Sequence, residues 1–374
     1  MAAQRLPLLP CTEVMTQFPN IRYPKKVKIA YVIEPRFLGG TSMAVAAELR
    51  VAAEFADLVV HARTSIMFGS SQHVAPVLQR VLDDLRIPMV WDAPRICADF
   101  VILHNPSFLK FQNSLSAEIY AQEIVVVTHE NFLRPGGEEG FDVSSCLDQI
   151  DLSTLALRKT LAPISSYNRE TVTGWLSKFR KVRHWTVLED DWFNIFFSDK
   201  GEPCEKPEDR RGRHSRPGFE KFPSVADLDL CFPKHAKANV ILGANALMDT
   251  DIVRPHWTLF PFDAISLEDF FEMIDFFVYF TAPTWRESFG RVIAEAIAAG
   301  KVVLTDPETA KTFGNAVIPC SPEDGDRIIS DLISSPDRYH EKVAEAQPLL
   351  ERYSGQKFKE RLGAILTADR EALT

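Results

Sequence analysis

Residues 285–300 read WRESFGRVIAEAIAAG, and the reading of this stretch decides the fold. It follows a short apolar run, 276–280, with the composition of a buried strand. It then opens a helix, expected over 289–299 and closed by Gly300 as the residue after the C-cap. Ser288 and Gly290 stand where the free backbone N–H groups of a first helical turn should point. Such an end carries partial positive charge and suits a phosphate. In open α/β sheets, ligands sit outside the carboxyl ends of strands, which is where this turn would lie. Two carboxylates bracket it, Glu287 before the helix and Glu295 two turns inside. At helical rise they would be roughly 12 Å apart. A phosphate repels a bare carboxylate, whereas sugar and ribose hydroxyls donate to one. A diphosphate on the helix end, a hexose at Glu287 and a ribose at Glu295 would satisfy all three groups. The plainer reading, an amphipathic helix with a dipole-favoured Glu287 and a surface Glu295, stays open on these residues alone.

Working outward, the same βα rhythm recurs. A β-branched apolar run at 27–33 precedes Gly39-Gly40-Thr41 and then SMAVAAELRVAAEFA, a strong helix former. Further strands are expected at 57–62, 89–91, 100–104 and 124–128, with helices at 74–85 and 169–180. Repeated units of this kind imply a parallel sheet covered on both faces. The stretch 198–223 interrupts the rhythm with charge, Pro and Gly, and reads as a loop or linker. Beyond it come a strand at 240–242, a helix at 266–273 with Ser266 as N-cap, and a strand at 302–305. With 374 residues, two α/β units are expected rather than one. The boundaries expected are an arm over 1–24, a first unit over 25–185, a second over 186–350, and a C-terminal helix over 351–374 that is free to cross back.

Composition narrows the function. A net charge of -9 supplies no basic field for nucleic acid. The six cysteines, at 11, 97, 146, 204, 231 and 320, form no CxxC pair; scattered in this way they fit a reducing compartment, and most read as small buried hydrophobes. The first residues lack a signal-peptide layout, and the longest later apolar run falls far short of the roughly 20 residues of a membrane span. A cytoplasmic protein is expected. The basic stretch of Arg169, Lys178, Arg180, Lys181 and Arg183 reads as a solvated face, and leaves peripheral contact with an anionic lipid carrier open.

Other segments carry weaker signals. Gly212-Arg213-His214-Ser215-Arg216, with Lys221 downstream, puts cations near a Gly turn, where two of them could neutralise a diphosphate leaving group; the plainer reading is a solvated basic loop. Gly39 and Gly40 would let a backbone approach a ligand closely. They do not form GxGxxG, and no acidic ribose ligand follows, so a dinucleotide dehydrogenase fits poorly. His129 and His104 each end a buried run, where a histidine can reach a sugar hydroxyl or simply be a satisfied structural residue. Asp190-Asp191 lacks the spacing of a metal-binding Asp-x-Asp.

Glu287 and Glu295, with Ser288-Phe289-Gly290 between them, resemble the Glu-x7-Glu donor motif of the retaining GT-B glycosyltransferases of family 4. The resemblance extends over most of 27–350. It implies an α/β GT-B fold, two Rossmann-like doubly wound domains facing across a cleft. The first is expected on the acceptor side and the second as the nucleotide-sugar-binding domain. It further implies that Glu287 binds the donor sugar and that Glu295 binds the ribose. The amides of Ser288, Phe289 and Gly290 would help hold the donor. Arg213 and Lys221 match the Gly-Arg…Lys element whose cations contact the donor phosphates, although EKPEDRR stands where that family has an apolar strand. Gly39 and Gly40 match its Gly-rich loop, and His129, rather than His104, its sugar-touching histidine. The implied activity moves a sugar from a nucleotide-sugar donor to a carbohydrate, lipid-linked or small-molecule acceptor, with no metal and no cofactor beyond the donor. Alternatives are a nucleotide-sugar epimerase of the same fold, or a non-catalytic nucleotide-sugar-binding protein.

Overall fold

The computed structural model describes residues 26–37, 39–69, 71–178, 184–197 and 199–371. The expected arm, Cys11, and the basic residues Arg180, Lys181 and Arg183 lie outside them. Among the described residues, two parallel sheets form. The first contains β1 (Val27–Ile33), β2 (Ala56–Ala62), β3 (Met89–Trp91), β4 (Arg95–Cys97), β5 (Phe100–His104), β6 (Glu118–Thr128), β7 (Thr154–Pro163) and β8 (Thr186–Val187). Its order is β3-β2-β1-β5-β6-β7-β8, with β4 also on β6. The second contains β9 (Arg210–His214), β10 (Ala238–Leu242), β11 (Thr258–Phe260), β12 (Phe276–Tyr279), β13 (Val302–Thr305) and β14 (Ile318–Pro319), in the order β11-β10-β9-β12-β13-β14. Each sheet therefore winds outward from its first strand and reverses once. The reversal falls between β1 and β5 in one and between β9 and β12 in the other. The chain is the expected pair of Rossmann-like doubly wound halves, and these two switch points are where such folds hold ligands.

Helices cover the sheets. Those of the first half are α1 (Gly40–Ala52), α2 (Pro76–Leu85), α3 (Val143–Leu152) and α4 (Ser166–Lys178). The second half adds α5 (Val225–Cys231), α6 (Asn245–Met248), α7 (Leu267–Glu272), α8 (Arg291–Ala298), α9 (Pro307–Phe313), α10 (Pro322–Ile333), α11 (Pro336–Ala346) and α12 (Gly355–Glu371). Ser266 caps α7, its hydroxyl accepting from the Asp269 N–H at 3.0 Å. Gly300 follows α8 with φ 72°, a left-handed position that glycine adopts without strain.

The stretch read as a loop before Gly212 corrects that expectation, because residues 210–214 form the central strand of the second sheet. Its charges are neutralised from elsewhere in the chain. Arg210 makes hydrogen bonds to Asp275 at 2.8 and 2.7 Å. Arg211, fully buried, donates to Asp209 at 2.6 Å and to Asp326 at 2.6 Å. Gly212 is required by packing, since a Cβ there would lie 2.6 Å from Ile274 Cγ2. Asp209, His235 and Asp326 could otherwise suggest a metal site, but the Arg211 guanidinium already supplies the cation.

One apolar core runs through both halves. The segment after β8 brings Trp192, Phe193, Ile195 and Phe196 into it, together with Phe358, Leu362 and Leu366 of α12. Trp192 and Phe193 meet Phe358 edge to face at 5.2 and 5.9 Å, and Lys359 pairs with Glu54 just past α1. Among the described residues, no helix is long and apolar enough to cross a membrane.

Candidate functional site

The switch point of the second sheet assembles the residues the sequence singled out. β9 ends at His214, and the chain continues through Arg216 to Lys221. β12 ends at Tyr279, and residues 280–290 lead into α8. Both glutamates turn toward the β9 end. Lys221 Nζ lies 2.6 Å from Glu287 Oε1, and His214 Nε2 lies 3.4 Å from Glu295 Oε2. Arg291, one turn back, also donates to Glu295 at 3.0 Å.

Glu287 is held by more than its lysine. The Tyr279 hydroxyl donates to the same oxygen at 2.6 Å. Burial pushes the Glu287 carboxyl up, but the charge and hydrogen bond of Lys221, the Tyr279 hydroxyl and nearby Arg216 outweigh it, and the net shift is downward. Glu287 is thus an anion with a fixed orientation. Tyr279 is pushed well above its ordinary value by its own burial and by Glu287, so it stays a donor. Glu295 shifts the other way, raised by burial against the opposing effect of Arg291. His214, packed among Phe270, Phe271 and Phe277, is lowered to about 3 by burial and by Arg213. It therefore faces Glu295 as a neutral ring.

Several local expectations change. The helix begins at Arg291 rather than Phe289, with Gly290 as N-cap at φ 86°. Glu295 is consequently one turn inside it, not two. The 289–290 segment departs from helix because Phe289 is drawn into the core, where its ring meets Phe313 at 5.9 Å and Tyr353 at 5.1 Å. Only the backbone of Phe289 is left to face a ligand. Arg213 is 1% exposed. Its guanidinium donates to the carbonyls of Phe280, at 2.9 Å, and Lys221, and lies over the rings of Phe222 and Tyr279 at 4.3 and 4.9 Å. It braces the loop that carries Lys221. The exposed cation here is Arg216, two residues past the strand end.

The first half meets this site through the segments after β6 and β7. Asn131 Nδ2 donates to the Arg286 carbonyl at 3.0 Å, and Ser165 Oγ donates to the Ser288 carbonyl. Arg134 lies 4.3 Å over the Trp285 ring, whose other neighbour is Lys221 Nζ at 5.1 Å. His129 opens the segment after β6, half-buried, with His104 behind it at 2.9 Å. Gly39, at φ 103°, caps α1 and Gly40 begins it at the first sheet's switch point, and a Cβ on either would meet nothing within 4 Å among the described residues. Of the basic stretch, Arg169 is tied to Asp191 at 2.9 Å and Lys178 to the Gly137 carbonyl at 3.1 Å. Sequence reasoning missed Tyr279, hidden in an apolar strand, and gave Arg216 no role; the spacing past the strand end was the available signal.

No protein-family model and no curated protein matches the chain. Solved structures do. The Anabaena Alr3699/HepE complex with UDP-glucose is 14% identical with a TM-score of 0.60, over 91% of this chain and 100% of that one. A glycosyltransferase from Rickettsia africae is 14% identical with a TM-score of 0.54, over 92% and 98%. An alpha-glucosyltransferase in complex with UDP and DNA is 11% identical with a TM-score of 0.52, over 91% and 100%. At these identities the likeness concerns the fold, and the two doubly wound halves are those of a GT-B protein.

Proposed function

We propose that this protein is a retaining glycosyltransferase of the family 4 type, transferring a sugar from a nucleotide-sugar donor to an acceptor hydroxyl. The observation that carries the reading is the convergence of Glu287 and Glu295 on one strand end that also presents Lys221 and Arg216. Glu287, anionic and fixed by Lys221 and Tyr279, accepts from hydroxyls of the donor sugar. Glu295 accepts from the ribose. Arg216 and the remaining N–H groups of Lys221 meet the diphosphate. Arg213 acts from behind, holding the Lys221 backbone.

The chemistry is leaving-group stabilisation. The bond between the anomeric carbon and the diphosphate oxygen breaks, and its electron pair leaves with the diphosphate. Fixed cations and the backbone around Ser288, Phe289 and Gly290 favour that developing charge. The acceptor oxygen bonds to the anomeric carbon, and its proton leaves with the departing phosphate. Two of the structural neighbours above are complexes, one with UDP-glucose and one with UDP, which makes uridine the first donor base to try. The test is release of nucleoside diphosphate from UDP-, GDP- and ADP-sugars, with and without a glycan or lipid-linked acceptor. Acceptor-dependent release supports transfer. Conversion of the sugar to an epimer without acceptor, or binding without turnover, contradicts it.

A further inference from the structure

A carboxylate and two imidazoles form a buried row behind the first sheet's carboxyl edge. Glu48, on the inner face of α1, is 0% exposed, as is His104 at the end of β5. Glu48 Oε1 accepts from Trp192 Nε1 at 2.9 Å. Glu48 Oε2 and His104 Nε2 face each other at 3.2 Å without the alignment of a hydrogen bond, and among the described residues neither atom has a hydrogen-bond partner. His104 Nδ1 lies 2.9 Å from His129 Nε2. The last nitrogen of the row, Nδ1 of half-buried His129, takes no partner from the described residues. The Tyr31 ring stacks on His104, centroids 5.8 Å apart, and fixes its plane.

The direction of the row follows from its first member. A carboxylate only accepts, and Trp192 can only donate, so the free oxygen of Glu48 calls for an N–H, and the group that faces it is His104 Nε2 at 3.2 Å. With the single His104 proton on Nε2, Nδ1 is a lone pair that takes a proton from His129 Nε2, 2.9 Å away. His129 is left with its own lone pair on Nδ1. The His129 ring is neutral in this state, in keeping with the downward shift that burial and His104 impose on it. The neighbours of Glu48 on the buried side of α1, Ala44, Val45, Leu49, Val51 and Ala52, are all apolar, so an apolar residue at 48 would fill the space without the desolvation cost of an acid.

We infer that Glu48 and His104 are positioning residues that hold His129 as the Nε2–H tautomer, presenting Nδ1 as a hydrogen-bond acceptor to a hydroxyl of the bound donor sugar. This rests on the glycosyl-transfer reading for the identity of the ligand. The row itself does not depend on it. Trp192 extends the row into the segment that joins the two halves, so the orientation of His129 is tied to how that segment is seated.

Glu48→Gln tests the row with almost no change of shape. The amide carbonyl must take the Trp192 N–H, which turns the NH2 group toward His104 Nε2. His104 then becomes the Nδ1–H tautomer, His129 Nε2 must accept, and His129 Nδ1 carries the proton. Nitrogen NMR of histidine-labelled protein, with His129 assigned by its loss in His129→Gln, reads this directly. The wild type is expected to show His129 protonated on Nε2, and Glu48→Gln to show both rings inverted. With a sugar donor, Glu48→Gln is expected to lower kcat by about tenfold, the loss of one well-placed hydrogen bond. Affinity for the free nucleoside diphosphate, which lacks the sugar, should be unchanged. The wild-type spectrum needs no variant: a proton on His129 Nδ1 there overturns the row. Inverted tautomers with unchanged kcat overturn the sugar contact. Absence of turnover by the wild type with every nucleotide-sugar overturns the transfer reading and the sugar contact with it, while the spectrum still decides the row.

Discussion

On the proposed reading, Glu287 and Glu295 do different work. Glu287 sits under Lys221 and Tyr279, and Glu295 beside His214 and Arg291. Glu287→Gln should lower turnover by ten- to a hundred-fold, about 1.4–2.8 kcal/mol of barrier, and leave nucleoside diphosphate affinity nearly intact. Glu295→Ala should weaken nucleotide and nucleotide-sugar alike, because both contain the ribose. Calorimetric titration beside steady-state turnover separates them. The two arginines should also part company. Arg216→Ala should weaken nucleoside diphosphate binding by about 1.5–3 kcal/mol, a charge-assisted contact, with little change in melting temperature. Arg213→Ala removes a buried cation that braces two carbonyls, and should cost about 2–4 kcal/mol of stability in urea unfolding. Spacing made the glutamates candidates, since the turn before a helix and its first turns are legible in sequence, and the family resemblance supplied their roles. Spacing could not show which face of a strand Arg213 uses, because that depends on partners remote in the chain. Glu48 was hidden for a similar reason: a single acid in a helix reads as solvent-facing until its neighbours are known.

At the scale of the element, β9 shows how a charged sequence becomes a central strand. Asp209, Asp275 and Asp326 neutralise Arg210 and Arg211, and two of those acids lie more than sixty residues away. Local patterning therefore reads loop where the fold builds the switch point. The strands at β1, β5 and β12 were legible because their apolar runs are continuous, as a sheet buried on both faces requires. The end of β9 also sets a pH dependence. His214 is held neutral, with its value lowered from 6.5 to about 3 by burial and Arg213. The unfolded chain therefore binds a proton below pH 6.5 that the folded chain refuses. The stability this ring confers is complete above that pH and is lost as pH falls toward 3. His214→Leu should flatten the loss of stability between pH 6.5 and pH ~4.5 by about 2–3 kcal/mol, read as melting temperature against pH. An unchanged slope would mean the ring is protonated in place.

At the scale of the whole molecule, the two halves share one core through 192–196 and α12. Phe358 is fully buried and meets both Trp192 and Phe193. Phe358→Ala should cost about 3–5 kcal/mol in urea unfolding, and through Trp192 it should also disturb the seating of Glu48. The two-unit organisation was readable from length and βα rhythm, whereas this shared core was not, because it joins segments separated along the chain. On the proposed reading, the assembled halves hold a nucleoside diphosphate between the carboxyl ends of two sheets. Isothermal titration of UDP, GDP and ADP into the wild type and into Arg216→Ala/Lys221→Ala tests that claim most directly. The account predicts saturable one-to-one binding of one of the three by the wild type, lost or weakened at least about thirty-fold in the double variant, roughly 2 kcal/mol. Binding of none of them, or equal binding by both proteins, would contradict it.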